Sequence, residues 1–190
     1  MSLMKPSRAI ALTALCLYAG TASAHPGHTP TGFVGGLAHP FLGLDHLLAM
    51  IAIGQWAAQQ DGRALWAVPA AFVGAMLLGG ILAWTGWVLP NVETVIALSL
   101  LVLGLLIAAR RRAPVLCGMA IAGGFALFHG YAHGLEMPQA TSPALYAAGF
   151  VLATLCLHGV GMASSLFGRH AMRAAGIGIA ATGVALMLSV

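Results

Sequence analysis

The stretch ALWAVPAAFVGAMLLGGILAWT, residues 64–85, contains no charged side chain. A helix needs about 20 apolar residues to cross the hydrocarbon core of a bilayer. This length and composition therefore predict a membrane-spanning helix. Arg63 directly precedes the stretch, and the next charge along the chain is Glu93.

The rest of the chain has the same character. Charged residues make up 6% of the 190 residues and apolar residues 60%, with a mean hydropathy of +0.94. A typical soluble domain carries about 25% charged residues. We therefore predict an all-α membrane helix bundle. Its six spans are expected at residues 32–58, 64–85, 92–109, 114–132, 143–167 and 174–190.

The N-terminus is typical of a signal peptide. Lys5 and Arg8 precede the apolar run AIALTALCLYAG, and the small residues ASA at 22–24 resemble a cleavage site. We predict a signal peptide at residues 1–24 and a six-helix transmembrane domain at 25–190. An uncleaved first helix is the alternative.

The arginines predict the orientation. Cytoplasmic loops of membrane proteins are enriched in Lys and Arg. The second and fourth loops carry neither, whereas the first, third and fifth contain or adjoin Arg63, Arg110, Arg111, Arg112, Arg169 and Arg173. These three loops are therefore expected in the cytoplasm and the mature N-terminus in the periplasm. The net charge of +4 reflects this topology and requires no nucleic-acid partner.

Polar residues interrupt the first span at HPFLGLDH, residues 39–46. Asp45 would be costly in lipid without a cation, a proton or hydrogen bonds. His39 and His46 are two helical turns apart, so a continuous helix would place them on one face, with His46 about 10 Å deeper. Pro40 and Gly43 predict a kink that opens room for a ligand.

A second polar cluster, FHGYAHGLE, occupies residues 128–136 of the fourth span. His129, His133 and Glu136 follow helical spacing and would share one stripe. Imidazole and carboxylate groups together suit first-row divalent metals. His158 in the fifth span and His25 and His28 near the predicted mature N-terminus are further candidate ligands.

These motifs resemble those of the HupE/UreJ family of bacterial nickel permeases. The resemblance rests on HPFLGLDH, FHGYAHGLE and the layout of a signal followed by six helices. It implies import of Ni(II), or Co(II), across the inner membrane, with supply to hydrogenase or urease assembly. It also implies that His39, Asp45, His46, His129, His133 and Glu136 are the essential residues.

Two other functions compete with transport. A membrane metalloenzyme would also use HxxxH and an acid, although the sequence lacks HExxH. A haem-binding electron carrier would use His129 or His158 but would leave Asp45 and Glu136 without a role. We therefore expect no enzyme activity and no prosthetic group, with the metal as a transported substrate. Because the chain has no phosphate-binding loop, we expect facilitated diffusion or coupling to an ion gradient.

Overall fold

The structure is a computed structural model that describes residues 31–60, 62–137 and 142–190, and every regular element in these residues is helical. The all-α prediction is confirmed, while the predicted signal peptide, His25 and His28 lie outside the described residues. Single 3₁₀ turns at His39–Phe41 and Ser165–Phe167 accompany the longer helices. These helices are α1 (Gly32–Ala38), α2 (Leu44–Ala58), α3 (Ala64–Ala83), α4 (Val92–Ala108), α5 (Val115–Glu136), α6 (Pro143–Ser164) and α7 (Arg169–Met187).

Each of the six predicted spans contains a helix, but the helices differ in length. Within the described residues, α3, α5, α6 with its following turn, and α7 are long and apolar enough to cross a membrane. The bent pair formed by α1 and α2 makes a fifth candidate if it counts as one span, and α4 is shorter. The described residues therefore contain four or five candidate spans by length and composition, and the number six stays a prediction. The last helix begins at Arg169, earlier than the predicted position 174.

The first predicted span is broken between residues 41 and 44. The segments Gly32–Phe41 and Leu44–Ala58 meet at an angle of 83°. Pro40 has no backbone N–H to donate, and Gly43 is extended (φ −109°, ψ 124°) where it caps α2. The predicted kink is confirmed, and it is a complete break in the helix.

Helix α2 lies at the centre of the bundle. Met50, Ile53 and Trp56 have no solvent exposure, and α2 packs against α3, α4 and α6. The indole Nε1 of Trp56 donates a hydrogen bond of 2.8 Å to the carbonyl of Arg111. This bond ties the C-terminal end of α2 to the arginine loop that follows α4.

Large apolar side chains cover the outside of the bundle. Trp66, Leu78, Leu116 and Val160 are more than half exposed, and they lie on three different helices. Soluble monomers rarely expose apolar area on this scale. Together with the candidate spans, this surface indicates a multi-pass membrane protein.

Glycines from both partners form the closest helix crossings. At the α3–α5 crossing, a Cβ on Gly79 would clash with the carbonyl oxygen of Leu127, and one on Gly130 with that of Met76. Small residues allow this close backbone approach in membrane helices. Paired glycines mark the crossings of α1 with α6, α2 with α6, and α4 with α7 in the same way: Gly36 and Gly149, Gly54 and Gly161, Gly104 and Gly176.

Gly130→Ala should therefore destabilise the protein. The new methyl group would push α3 away from α5, and overpacking of this kind typically costs about 1–3 kcal/mol. Gly124→Ala, on the same helix, is the matched control because its Cβ would meet nothing within 4 Å. Thermal unfolding of the detergent-solubilised protein should show a lower midpoint for Gly130→Ala alone. Equal midpoints for both variants would contradict the close crossing.

Candidate metal site

Three candidate ligands converge at the C-terminal end of α5. The ligand atoms of His39, His133 and Glu136 all lie within 4.8 Å of one another. His39 Nε2 donates a hydrogen bond of 3.0 Å to Glu136 Oε2, and His133 Nδ1 lies 3.7 Å from the same oxygen. The helical spacing of FHGYAHGLE brings His133 and Glu136 together, and the 3₁₀ turn adds His39 from a distant part of the chain.

The three ligands differ in exposure. The side chain of Glu136 is 55% exposed, that of His39 17% and that of His133 5%. A carboxylate at the surface attracts a hydrated cation, and buried imidazoles can replace part of its water shell. The triad therefore has the order of groups that suits capture of a divalent cation from water.

His133 carries unused hydrogen-bonding capacity. Neither of its buried ring nitrogens has a hydrogen-bond partner among the described residues, and the same holds for the Tyr146 hydroxyl. The ring of Phe150 packs 4.3 Å from the His133 ring, measured between centroids. Buried polar groups are normally paired, so each exception needs a reason. A bound cation would supply a partner for the unprotonated nitrogen of His133.

The histidine cluster continues from the triad into the bundle. The ring of His46 lies 4.0 Å from that of His133 and 5.0 Å from that of His129, measured between centroids. The Nδ1 atoms of His46 and His129 are 2.9 Å apart, and both side chains are buried. The four rings therefore form a continuous series in the order His39, His133, His46, His129.

Ser99 fixes the tautomer of His129. The Ser99 hydroxyl donates its single proton to the carbonyl of Ile96 at 2.6 Å, so it must accept at its second contact, 3.0 Å from His129 Nε2. His129 therefore carries its proton on Nε2 and presents a lone pair on Nδ1. The proton between the two Nδ1 atoms consequently belongs to His46. A serine in this position orients a ligand as an outer-shell partner does in metal sites.

Asp45 lies beside this series without joining the triad. Its Oδ1 accepts a hydrogen bond of 2.8 Å from the His46 backbone N–H and lies 3.8 Å from His46 Nε2. Asp45 is in the first turn of α2, where the helix dipole stabilises a carboxylate. This explains how an acid is tolerated here, and it places a negative charge next to the His46–His129 pair.

His39 and His46 were predicted to share one face of a continuous helix, and this prediction is wrong. They do not lie on one face of a continuous helix, because the helix breaks between them. Both rings instead contact His133, His39 at 4.8 Å and His46 at 4.0 Å between centroids. The predicted difference in depth of two helical turns therefore does not apply.

His158 lies apart from the triad. It contacts the Met50 carbonyl through Nδ1 at 3.2 Å and the ring of Phe72 at a centroid distance of 5.3 Å. The structure thus brings His39, His133 and Glu136 together, adds His46 and His129 with Asp45 beside them, and leaves His158 separate. Ligation by any of these residues stays a prediction.

Ser99 was not among the site residues predicted from the sequence. Ser99 is the one polar side chain between positions 95 and 108, which was the signal that could have identified it.

The family model described as HupE / UreJ protein matches residues 13–186 of the chain. The chain belongs to the HupE/UreJ family. It is also 44% identical over 190 residues to Protein HupE of Rhizobium leguminosarum bv. viciae, with 97% of this chain and all of that protein covered. The resemblance inferred from the two motifs is thereby confirmed. No solved structure matches the chain significantly.

Ser99→Ala should weaken metal binding while leaving the fold intact. Without the hydroxyl, the His129 tautomer is no longer fixed, and loss of such an outer-shell partner lowers metal affinity by about tenfold. Calorimetric titration of the purified protein with Ni(II) would measure the change. Ser164→Ala is the matched control, because Ser164 forms hydrogen bonds with Gln55 and the Gly161 carbonyl at the C-terminal end of α6. Equal affinities in the two variants would contradict the orienting role of Ser99.

Proposed function

We propose that the protein carries Ni(II) or Co(II) into the cell across the bacterial inner membrane. The observation that supports this most directly is the convergence of His39, His133 and Glu136, continued inward by His46 and His129. A ligand series that begins at a half-exposed carboxylate and ends in fully buried imidazole suits a moving cation better than a resident one.

The ligand chemistry favours release as well as binding. Nitrogen and oxygen ligands from a few side chains hold a borderline divalent metal, whereas a closed thiolate cage would retain it. Transport through a pore requires binding that is favourable but not tight, at more than one site. The triad and the His46–His129 pair supply two such positions in contact with each other.

Asp45 offsets the charge of the cation in this proposal. A divalent ion held by neutral imidazoles would be an uncompensated charge within an apolar bundle, which is costly. The Asp45 carboxylate adjoins His46 and so lies close to the second position. Its role is electrostatic, whereas the role of Glu136 is to capture the ion.

The orientation of the bundle supports uptake from outside. Helices α3 and α5 run parallel, since Val68 packs near Gly118 and Met76 near Gly130. Arg63 at the start of α3 is therefore at the opposite end from Glu136. With arginines on the cytoplasmic side, Glu136 and His39 face the periplasm.

The rival functions fit the site less well. A haem-binding electron carrier would leave Glu136 without a role, although its carboxylate contacts His39 and lies close to His133. The proposal assigns no enzyme activity and no prosthetic group, and the metal is the substrate. Delivery to hydrogenase or urease assembly remains an implication of the family resemblance.

Transport can be tested in proteoliposomes with a metal-sensitive dye inside. Glu136→Gln removes the capturing charge and Asp45→Asn removes the compensating charge, and each keeps the size of the side chain. We expect both variants to lose most of the Ni(II) flux, with Glu136→Gln impaired most at limiting metal. His170→Gln is the control, because this exposed histidine contacts Arg169 and lies far from the triad.

Three results would argue against the proposal. The first is the absence of Ni(II) or Co(II) flux with the unmodified protein. The second is flux by Asp45→Asn equal to that of His170→Gln. The third is a haem absorption band in the purified protein, which would favour the electron-carrier alternative.

A further inference from the structure

A second group of buried polar and sulfur-containing side chains lies near the centre of the bundle. Met50 on α2, Met76 on α3, and Thr154 and His158 on α6 are all at most 2% exposed. Thr154 and His158 are four residues apart on α6 and so share a face. Met50 contacts both of them, through its sulfur and its carbonyl oxygen respectively. Three helices thus contribute to one buried polar cluster.

The two sulfur atoms of this cluster contact the Thr154 hydroxyl oxygen, whose proton is donated to another acceptor. The hydroxyl of Thr154 lies 2.9 Å from the Phe150 carbonyl, 3.4 Å from Met50 Sδ and 4.0 Å from Met76 Sδ. Its single proton is donated to the carbonyl, which is both the nearest acceptor and a stronger one than a thioether. The Thr154 oxygen and the two sulfurs therefore bring lone pairs together, which attracts a cation.

His158 adds a lone pair that is not used. A carbonyl can only accept, so His158 Nδ1 carries the ring proton and donates it to the Met50 carbonyl at 3.2 Å. Nε2 of the neutral ring is then an acceptor, and it is buried with no hydrogen-bond partner in the described residues. This nitrogen has the form in which imidazole binds metals.

One aromatic side chain contacts both this cluster and the histidine series. The ring of Phe72 lies 6.0 Å from that of His129 and 5.3 Å from that of His158, measured between centroids. The cluster therefore lies one side chain away from the buried end of the histidine series.

We propose that Met50, Met76, Thr154 and His158 form an inner metal site that receives the cation from the histidine series. The place of this inner site in a transport route rests on the proposed function, whereas its metal-binding chemistry does not. Thioether ligands are neutral and soft, and imidazole is neutral and borderline, so together they hold Ni(II) or Co(II) weakly and soft monovalent ions such as Ag(I) or Cu(I) tightly. The inner site is therefore a point of release for the transported metal and a point of block for a soft ion.

Another methionine provides a matched control. The hydroxyl of Ser164 donates to the Gly161 carbonyl and lies 3.4 Å from Met172 Sδ, as Thr154 does with Phe150 and Met50. Met172 is also buried. No hydrogen bond joins Met172 to a histidine among the described residues. If a buried thioether beside a hydroxyl were sufficient to bind Ag(I), replacing Met172 would weaken Ag(I) binding as replacing Met50 and Met76 does.

The test is Ag(I) binding to the full chain in lipid nanodiscs. Cys16, Cys117 and Cys156 are first replaced by alanine, because thiols also bind Ag(I). Met50→Leu combined with Met76→Leu nearly conserves volume, so the fold should persist. We expect this double variant, and separately His158→Phe, to weaken the tightest Ag(I) binding by about tenfold or more. Met172→Leu should bind as the parent does, and equal affinity in the double variant and in Met172→Leu would overturn the inner site.

Ni(II) flux of the same proteins in liposomes separates the two proposals. We expect the double variant to carry Ni(II) more slowly and to lose the block by Ag(I) that the parent shows. A double variant with weakened Ag(I) binding but parental Ni(II) flux would overturn the transfer of the cation to this site. A parent that binds Ag(I) here but carries no Ni(II) would overturn the proposed transport and leave the inner site standing.

Discussion

The break between α1 and α2 is the constraint on which the candidate metal site depends. A continuous helix would carry His39 and His46 along one axis, and the two rings could not both contact a single histidine on α5. Pro40 removes a hydrogen bond, and Gly43 adopts extended backbone, so the chain turns by 83°. His39 then lies over the end of α5, while Asp45 and His46 form the first turn of α2. The same break creates the helix N-terminus that stabilises the Asp45 carboxylate.

The glycine crossings give this arrangement a rigid frame. Backbones in contact leave little freedom for α3 to move against α5, or α2 against α6, so the histidines on these helices keep their mutual distances. Gly130 immediately follows His129, and Gly161 lies one turn beyond His158 on α6. The residues that bring the helices together are thus close in sequence to the residues that would bind the metal.

Proton positions decide which nitrogens can bind. A neutral imidazole has one donor and one acceptor, and in this bundle carbonyls and hydroxyls determine which nitrogen is which. Ser99 leaves Nδ1 of His129 as an acceptor, and the Met50 carbonyl leaves Nε2 of His158 as one. Histidines that look equivalent in the sequence therefore present different nitrogens as acceptors in the fold. Acidic charge lies beside both groups of histidines, with Glu136 in the triad and Asp45 next to the His46–His129 pair.

The sequence by itself determined the helical class, the apolar segments, the kink and the spacing of His129, His133 and Glu136. These properties depend on neighbours within a few positions: the length of an apolar run, the missing N–H of Pro40, and the period of a helix. Only the tertiary structure decided that His39 joins His133, that Ser99 orients His129 and that His158 donates to the Met50 carbonyl. Those contacts join residues 30 to 108 positions apart, and no local periodicity specifies them. They follow from which helices cross at glycines and in which direction each helix leaves its loop.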